Sequence, residues 1–204
     1  MASSEKKSTV LNLPNTLSLL RVILVPAFVA TLLFLRNIEV WGLLIPALIY
    51  ALTALTDMLD GKIARKYNMI TDFGKFIDPL ADKFMVLSAF AAMDLLMALR
   101  GDMTESVVFS FVFLVILLRE LGVTSLRLVV AGKKIVVAAS MLGKIKTVSQ
   151  MVGTVVILLE PLVFPFSAEN HIVAYIMMAI MAATTLVSGV DYLKKLLPYI
   201  DTNE

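Results

Sequence analysis

The chain has 204 residues, of which 59% are hydrophobic and only 17% charged. A soluble domain sits near ~45–50% and ~25% on those counts, so the composition excludes a disordered chain and argues against an ordinary soluble domain. Cysteine is absent, which excludes disulfide frameworks and Cys-based zinc or redox centres, and the formal net charge is only +2.

A spanning helix needs about 20 predominantly apolar residues. Runs free of Asp, Glu, Lys and Arg lie at 22–35, 40–56, 84–93, 106–118, 147–159 and 172–190. Most of them reach span length only when charged residues join one end of the helix. The pattern predicts six helices, over 14–35, 40–60, 76–99, 105–130, 142–162 and 170–193. The first ten residues are a polar stub with Lys6 and Lys7 ahead of an apolar run, as in a signal peptide. No small-residue cleavage site follows and the run continues as a full span, so the first helix is expected to be retained. Asn15 or Thr16 is expected to cap that helix, after Pro14. Gly101 and Asp102 separate the third helix from the fourth, Ala131–Lys134 end the fourth, and Pro161 and Pro165 mark the loop before the sixth. The expected organisation is a stub (1–10), one membrane domain (11–197) and a short tail (198–204), without internal repeats.

Short loops make neighbouring helices antiparallel, so with six spans the loops alternate sides. Of the 18 basic residues, 16 then fall on one side and only Arg36 and Arg100 on the other. The positive-inside rule puts the rich side, with both termini, in the cytoplasm. Trp41 falls near the outer interface. The fold class expected is thus an all-α integral membrane protein of six transmembrane helices, its polar site open to the cytoplasmic side.

The most informative segment is 57–83, DMLDGKIARKYNMITDFGKFIDPLADK. Asp57, Asp60, Gly61 and Ala64 follow i, i+3, i+4, i+7 spacing and share one face at the end of the second helix. Gly74, Asp78 and Asp82 share one face at the start of the third, with Pro79 in its first turns. Two antiparallel neighbours thereby direct four carboxylates at a common space. Such a cluster repels itself and is costly near a membrane unless cations neutralise it. All-oxygen ligation suits hard cations such as Mg²⁺ or Mn²⁺. A pair of them suits in-line phosphoryl displacement. Small residues at 61 and 64 leave room for a ligand. Asp72 is expected in the connecting loop, and no role is assigned to Asp94, Asp102 or Glu105.

The segment matches D-x2-D-G-x2-A-R-x8-G-x3-D-x3-D at every fixed position. This resembles the signature of the CDP-alcohol phosphatidyltransferase family. The resemblance implies a six-span enzyme that moves a phosphatidyl group from a CDP-linked lipid to an alcohol and releases CMP. It implies two divalent cations on Asp57, Asp60 and Asp78, with Asp82 ligating or close by and serving as the catalytic base for the acceptor hydroxyl. It also implies a nucleotide site lined by Asp60, Gly61, Ala64, Arg65 and Gly74, and a homodimer.

A second polar set lies further along. Arg119, Glu120 and Arg127 interrupt an apolar run, and Lys144 and Lys146 open the fifth helix. Charges at such depths are functional candidates, and Arg suits bidentate phosphate binding. Arg119, Arg127, Lys144 and Lys146 are therefore candidates for an acceptor's phosphate, Lys146 equally for an interfacial anchor. Arg119 and Glu120, adjacent in sequence, are not expected to face each other. The run R-E-L-x-V-T-S-L-R, followed by A-S-x-L-G-K-I-K-T, resembles the branch of the family whose acceptor is sn-glycerol 3-phosphate, as does the N-terminal L-P-N-T-L-S-L-L-R with Asn15 and Arg21. Other acceptors on the same fold are phosphatidylglycerol, giving cardiolipin, or inositol phosphate. A reading from another class is a divalent-cation carrier, but the carboxylates cluster at one end of the bundle rather than at mid-depth. CDP-diacylglycerol, the acceptor and membrane lipids are the expected partners, with no nucleic acid. The N-terminus contains Glu5 and does not resemble an Arg-rich transit peptide, so a bacterial plasma membrane is expected. His171 is expected to be interfacial, and Asp191 with Lys194 and Lys195 to form a solvated helix end.

Overall fold

The computed structural model describes residues 13–66, 72–133, 140–167 and 169–199. They form helices α1 (Leu13–Phe34), α2 (Trp41–Lys66), α3 (Asp72–Arg100), α4 (Met103–Gly132), α5 (Met141–Val163) and α6 (Ile172–Leu196), with single 3-10 turns at Pro165–Ser167 and Leu197–Tyr199. No strand occurs among the described residues.

The chain divides into two compact units at Ala89/Phe90. In the first, α1 and α2 are antiparallel: Phe28 packs on Tyr50 with ring centroids 5.3 Å apart, and Arg21 reaches Asp57 nearer the other end. The turn between them is tight enough that a Cβ on Gly42 would lie 2.1 Å from the carbonyl oxygen of Leu35. The start of α3 runs parallel to α1, with Ser18 against Asp78 and Arg21 against Asp82.

In the second unit the remainder of α3 packs on α4 through stacked Phe90 and Phe109, 5.3 Å apart, and through Asp94, which accepts from Ser106 at 3.0 Å and Ser110 at 2.8 Å. Gly101 turns the chain between them at φ +89°, a conformation open to glycine. Helices α4 and α6 are parallel, joined at Arg119–Ser188 and Arg127–Tyr192. Helix α5 runs against α6 through Ser149–Thr184 and Gln150–Thr185, and Gly153 seats Met181.

The surface is apolar and much of the interior polar. Phe34, Phe111, Leu128 and Ile23 are largely exposed, whereas Arg21, Ser18, Gln150, Thr154, Thr185 and Ser188 are fully buried. Water would penalise that arrangement; a lipid solvent favours it, because apolar tails meet apolar side chains and buried hydroxyls and amides bridge the helices. Among the described residues four helices are long and apolar enough to cross a membrane: Asn15–Phe34, Met103–Gly132, Met141–Val163 and Ile172–Tyr199; Trp41–Asp57 is a shorter apolar helix. The described residues form helices and turns, with the apolar surface of a membrane protein.

Helix existence follows the sequence pattern, and the ends need correction. Helix α2 runs to Lys66 rather than 60, and α3 begins at Asp72 rather than 76. The apolar pattern stops where the carboxylate motif begins, but backbone hydrogen bonding does not. Asp72 therefore opens α3 instead of lying in the loop. Pro79 becomes the eighth residue of α3, beyond its first turn, and Pro161 lies inside α5. Asn15 and Thr16 are already inside α1 rather than capping it, and Asn15 is buried.

Candidate active site

Helix α1 supplies the centre of the first polar cluster. Arg21 is fully buried, and its Nη1 donates to Asp57 Oδ1 at 3.0 Å and to Asp82 Oδ1 at 2.5 Å. Three residues earlier, on the same face of α1, Ser18 donates to Asp78 Oδ1 at 2.6 Å. One helix face thus binds carboxylates from both α2 and α3. The side chains of Asp57 and Asp82 are 23% and 53% exposed, so the cluster opens outward from a buried guanidinium toward Asp82. Gly74 is buried near the start of α3. Asp60, Gly61, Ala64 and Arg65 lie on α2, and their side chains fall outside the described residues.

The second cluster belongs to the other unit and centres on Tyr192 of α6, which is 3% exposed. Arg127 Nη2 donates to the Tyr192 hydroxyl at 2.7 Å, and the backbone N–H of Ser140 donates to the same oxygen at 3.0 Å. The guanidinium carbons of Arg127 and Arg119 lie 4.8 and 5.3 Å from the ring centroid, within cation–π range. Arg119 also donates to Ser188 at 2.7 Å. Ser140 caps α5 by accepting from the Gly143 N–H at 3.1 Å. Lys146 is buried and bound to Glu120, while Lys144 is exposed. The Nε groups of Arg119 and Arg127 are buried without an acceptor among the described residues.

One expectation fails here. Arg119 Nη1 donates to Glu120 at 3.0 Å although the two are sequence neighbours. Their Cα–Cβ bonds diverge, but both side chains are long enough to curl back together. Lys146 on α5 draws Glu120 into that position. Glu120 thereby serves two cations.

Tyr192 was not singled out from sequence, and Arg21 was named only within the N-terminal run that resembles one branch of the family. Arg21 carried a signal, being a charge inside an otherwise apolar helix; Tyr192 carried none, since a lone tyrosine near a helix end is unremarkable. Near the start of α4, Glu105 is buried with His171 Nδ1 at 3.5 Å, and Asp102 lies 3.7 Å from His171 Nε2. His171 takes a left-handed backbone (φ 51°) at the start of α6, where buried Glu160 accepts from Ser167 and from the Val173 and Ala174 N–H groups. This set ties the helix ends together. At the end of α6, where a solvated helix end was expected, Lys195 and Asp191 pair at 2.8 Å at i, i+4.

The family model for CDP-alcohol phosphatidyltransferase matches residues 11–187. The chain belongs to that family. Among curated relatives, the CDP-diacylglycerol–glycerol-3-phosphate 3-phosphatidyltransferase of Bacillus subtilis is 38% identical over 193 residues, covering 90% of this chain and 94% of the relative. A probable phosphatidylglycerophosphate synthase of Mycobacterium tuberculosis is 37% identical, covering 94% and 84%. The Rickettsia bellii protein with the same name as the first is 36% identical, covering 90% and 94%. As a CDP-alcohol phosphatidyltransferase, the chain carries the eight-position motif whole, and the matched region takes in the first cluster and Arg119, Glu120, Arg127, Ser140 and Lys146 of the second, but stops short of Ser188 and Tyr192.

Proposed function

We propose that this chain is a CDP-diacylglycerol–glycerol-3-phosphate 3-phosphatidyltransferase, that is, a phosphatidylglycerophosphate synthase. It transfers the phosphatidyl group of CDP-diacylglycerol to sn-glycerol 3-phosphate, giving phosphatidylglycerophosphate and CMP. The observation that carries the reading is an unbroken carboxylate motif in a chain that aligns over 90% of its length with a relative of that name.

In this reading Asp57, Asp60, Asp78 and Asp82 hold two divalent cations, Mg²⁺ or Mn²⁺. The donor set fits: it is all oxygen, and Asp57 and Asp82 already share a cationic group, the Arg21 guanidinium. The bound cations would neutralise the donor's pyrophosphate and the leaving CMP. Ser18 and Arg21 orient the carboxylates. Asp60, Gly61, Ala64, Arg65 and Gly74 line the nucleotide site. Asp82, half-exposed, receives the proton of the acceptor hydroxyl. Arg119 and Arg127 bind the acceptor's phosphate with Lys144. Lys146 contributes by neutralising Glu120, which leaves the charge of Arg119 available.

The reading includes six spans in one domain (11–197), with the polar site and both termini cytoplasmic. Its support is the 16-to-2 distribution of basic residues. It also includes a bacterial plasma membrane and a homodimer. Purified protein given CDP-diacylglycerol and Mg²⁺ or Mn²⁺ should release CMP in proportion to added sn-glycerol 3-phosphate. Phosphatidylglycerol and inositol phosphate tested in parallel should not substitute. CMP release that ignores glycerol 3-phosphate and follows another acceptor refutes the assignment.

A further inference from the structure

The starts of α4 and α6 carry a charged cluster that neither the aspartate motif nor the arginine set uses. Asp102 precedes α4, Glu105 lies in its first turn, and His171 precedes α6. Helices α4 and α6 are parallel, so this is the opposite end of the pair from Arg127 and Tyr192. His171 Nδ1 faces Glu105 Oε2 at 3.5 Å, and its Nε2 faces Asp102 Oδ1 at 3.7 Å. Both distances exceed the ~2.7–3.2 Å of an N–H···O bond. A neutral imidazole has one N–H and one lone pair. One of the two contacts therefore sets a lone pair against a carboxylate unless a proton or a cation stands between them.

Glu105 is an independent sign of a ligand. Its side chain is only 5% exposed, yet its carboxylate accepts no hydrogen bond among the described residues. Buried carboxylates are otherwise bonded, and Glu160, buried equally, accepts from Ser167 and from two backbone N–H groups. Glu105, His171 and Arg100 line a small cavity of about 30 Å³, more than the ~10–15 Å³ that one water needs. The carboxylates of Asp102 and Glu160 add to the charge of Glu105, and the one fixed cation among these groups is Arg100. Three carboxylates against one guanidinium attract a further cation. One imidazole nitrogen and one oxygen from each of Asp102 and Glu105 lie within 4.8 Å of one another. Ligands ~2.1 Å from a tetrahedral Zn²⁺ are about 3.4 Å apart, so small side-chain rotations close the three donors on one ion.

We infer that Asp102, Glu105 and His171 bind a divalent transition cation of the Zn²⁺ class, with water in the fourth position. The mixed nitrogen and oxygen donors suit Zn²⁺ rather than Mg²⁺. The bound ion ties the turn between α3 and α4 to the start of α6. The site shares no residue with the aspartate motif, and the inference does not rest on the activity proposed above.

His171 is the only histidine in the chain, so ¹⁵N-histidine labelling of the full-length protein, purified without a histidine tag, reports on this site alone. The detergent-solubilised protein is titrated with Zn²⁺ above neutral pH in excess Mg²⁺, which imidazole binds poorly and which fills all-oxygen sites. One imidazole ¹⁵N resonance should move saturably at one Zn²⁺ per chain, and the melting temperature should rise with it. Glu105→Gln should weaken this binding at least ~10-fold and remove the Zn²⁺-dependent rise. Asp102→Asn, at a more exposed position, should weaken it in the same way and serves if Glu105→Gln does not fold. An imidazole that stays doubly protonated and unmoved by Zn²⁺ makes the cluster a salt bridge and overturns the inference. Zn²⁺ binding that is unchanged in both variants also overturns it, since the histidine would then bind without the two carboxylates.

Discussion

Arg21→Met should convert the protein into one whose stability depends on divalent cations. Arg21 is fully buried, and one of its nitrogens lies 3.0 Å from Asp57 and 2.5 Å from Asp82. Those two oxygens are therefore at most ~5.5 Å apart, and two like charges ~5 Å apart repel by ~3 kcal/mol at an effective dielectric constant of ~20. Removing one partner of a buried ion pair costs ~3–5 kcal/mol. Asp82 is half-exposed and partly screened, so the lower end applies, about 3 kcal/mol. At ~2–4 °C per kcal/mol for a chain of this size, the melting temperature in EDTA should fall by roughly 6–12 °C. Methionine keeps most of the stem's packing, so the loss reports the charge. Mn²⁺ or Mg²⁺ should restore most of it, because a bound cation supplies the charge that Arg21 supplied, and the parent should gain less. The assay is a thermal melt of detergent-solubilised protein, parent and variant, in EDTA and across a Mn²⁺ titration. A variant that melts at the same temperature with and without metal refutes the reasoning, since the carboxylates would then not be a cation site.

Chelation should stop CMP release and added Mg²⁺ or Mn²⁺ should restore it, whereas Asp82→Asn should cost at least ~10²-fold in kcat under saturating metal; near-parent turnover removes Asp82 as the base. Arg127→Ala should raise the acceptor KM by ~10–100-fold, the range of a charged hydrogen bond, with the donor KM little changed in the same steady-state assay. Glu120→Gln removes the carboxylate shared by buried Lys146 and by Arg119 and should destabilise by ~3–5 kcal/mol, read as a lower melting temperature that metal does not rescue. Gly42→Ala would drive a Cβ to 2.1 Å from the Leu35 carbonyl oxygen, which is backbone and cannot swing aside. Overpacking of this kind costs ~1–3 kcal/mol, while Gly122→Ala, with open space around it, should be neutral or stabilising in the same melt.

Helix count was legible because a lipid-facing helix must be apolar over most of its length, and 59% hydrophobic residues in 204 leave few other readings. The ends of α2 and α3 were less so. The residues that extend them, 61–66 and 72–75, belong to the polar motif, where hydropathy falls silent and only backbone hydrogen bonding marks the helix. The motif aspartates were legible from spacing alone, since i, i+3 and i, i+4 residues share a helix face whatever surrounds them. Arg119's contact with Glu120 ran against the same rule. The rule describes Cβ directions, and long side chains outrun it once a third residue, Lys146, fixes one of them.

The sequence alone determined the solvent, the helices and the identities of the carboxylates, because each depends on local composition and helical periodicity. Only the tertiary structure decided what stands beside them. Arg21 meets Asp57 and Asp82 across 36 and 61 residues of chain, and Tyr192 gathers Arg127 from 65 residues away and Ser140 from 52. No periodicity encodes such pairings. They follow from which helix faces pack together, which is settled by burying every charge and hydroxyl that the lipid will not accept.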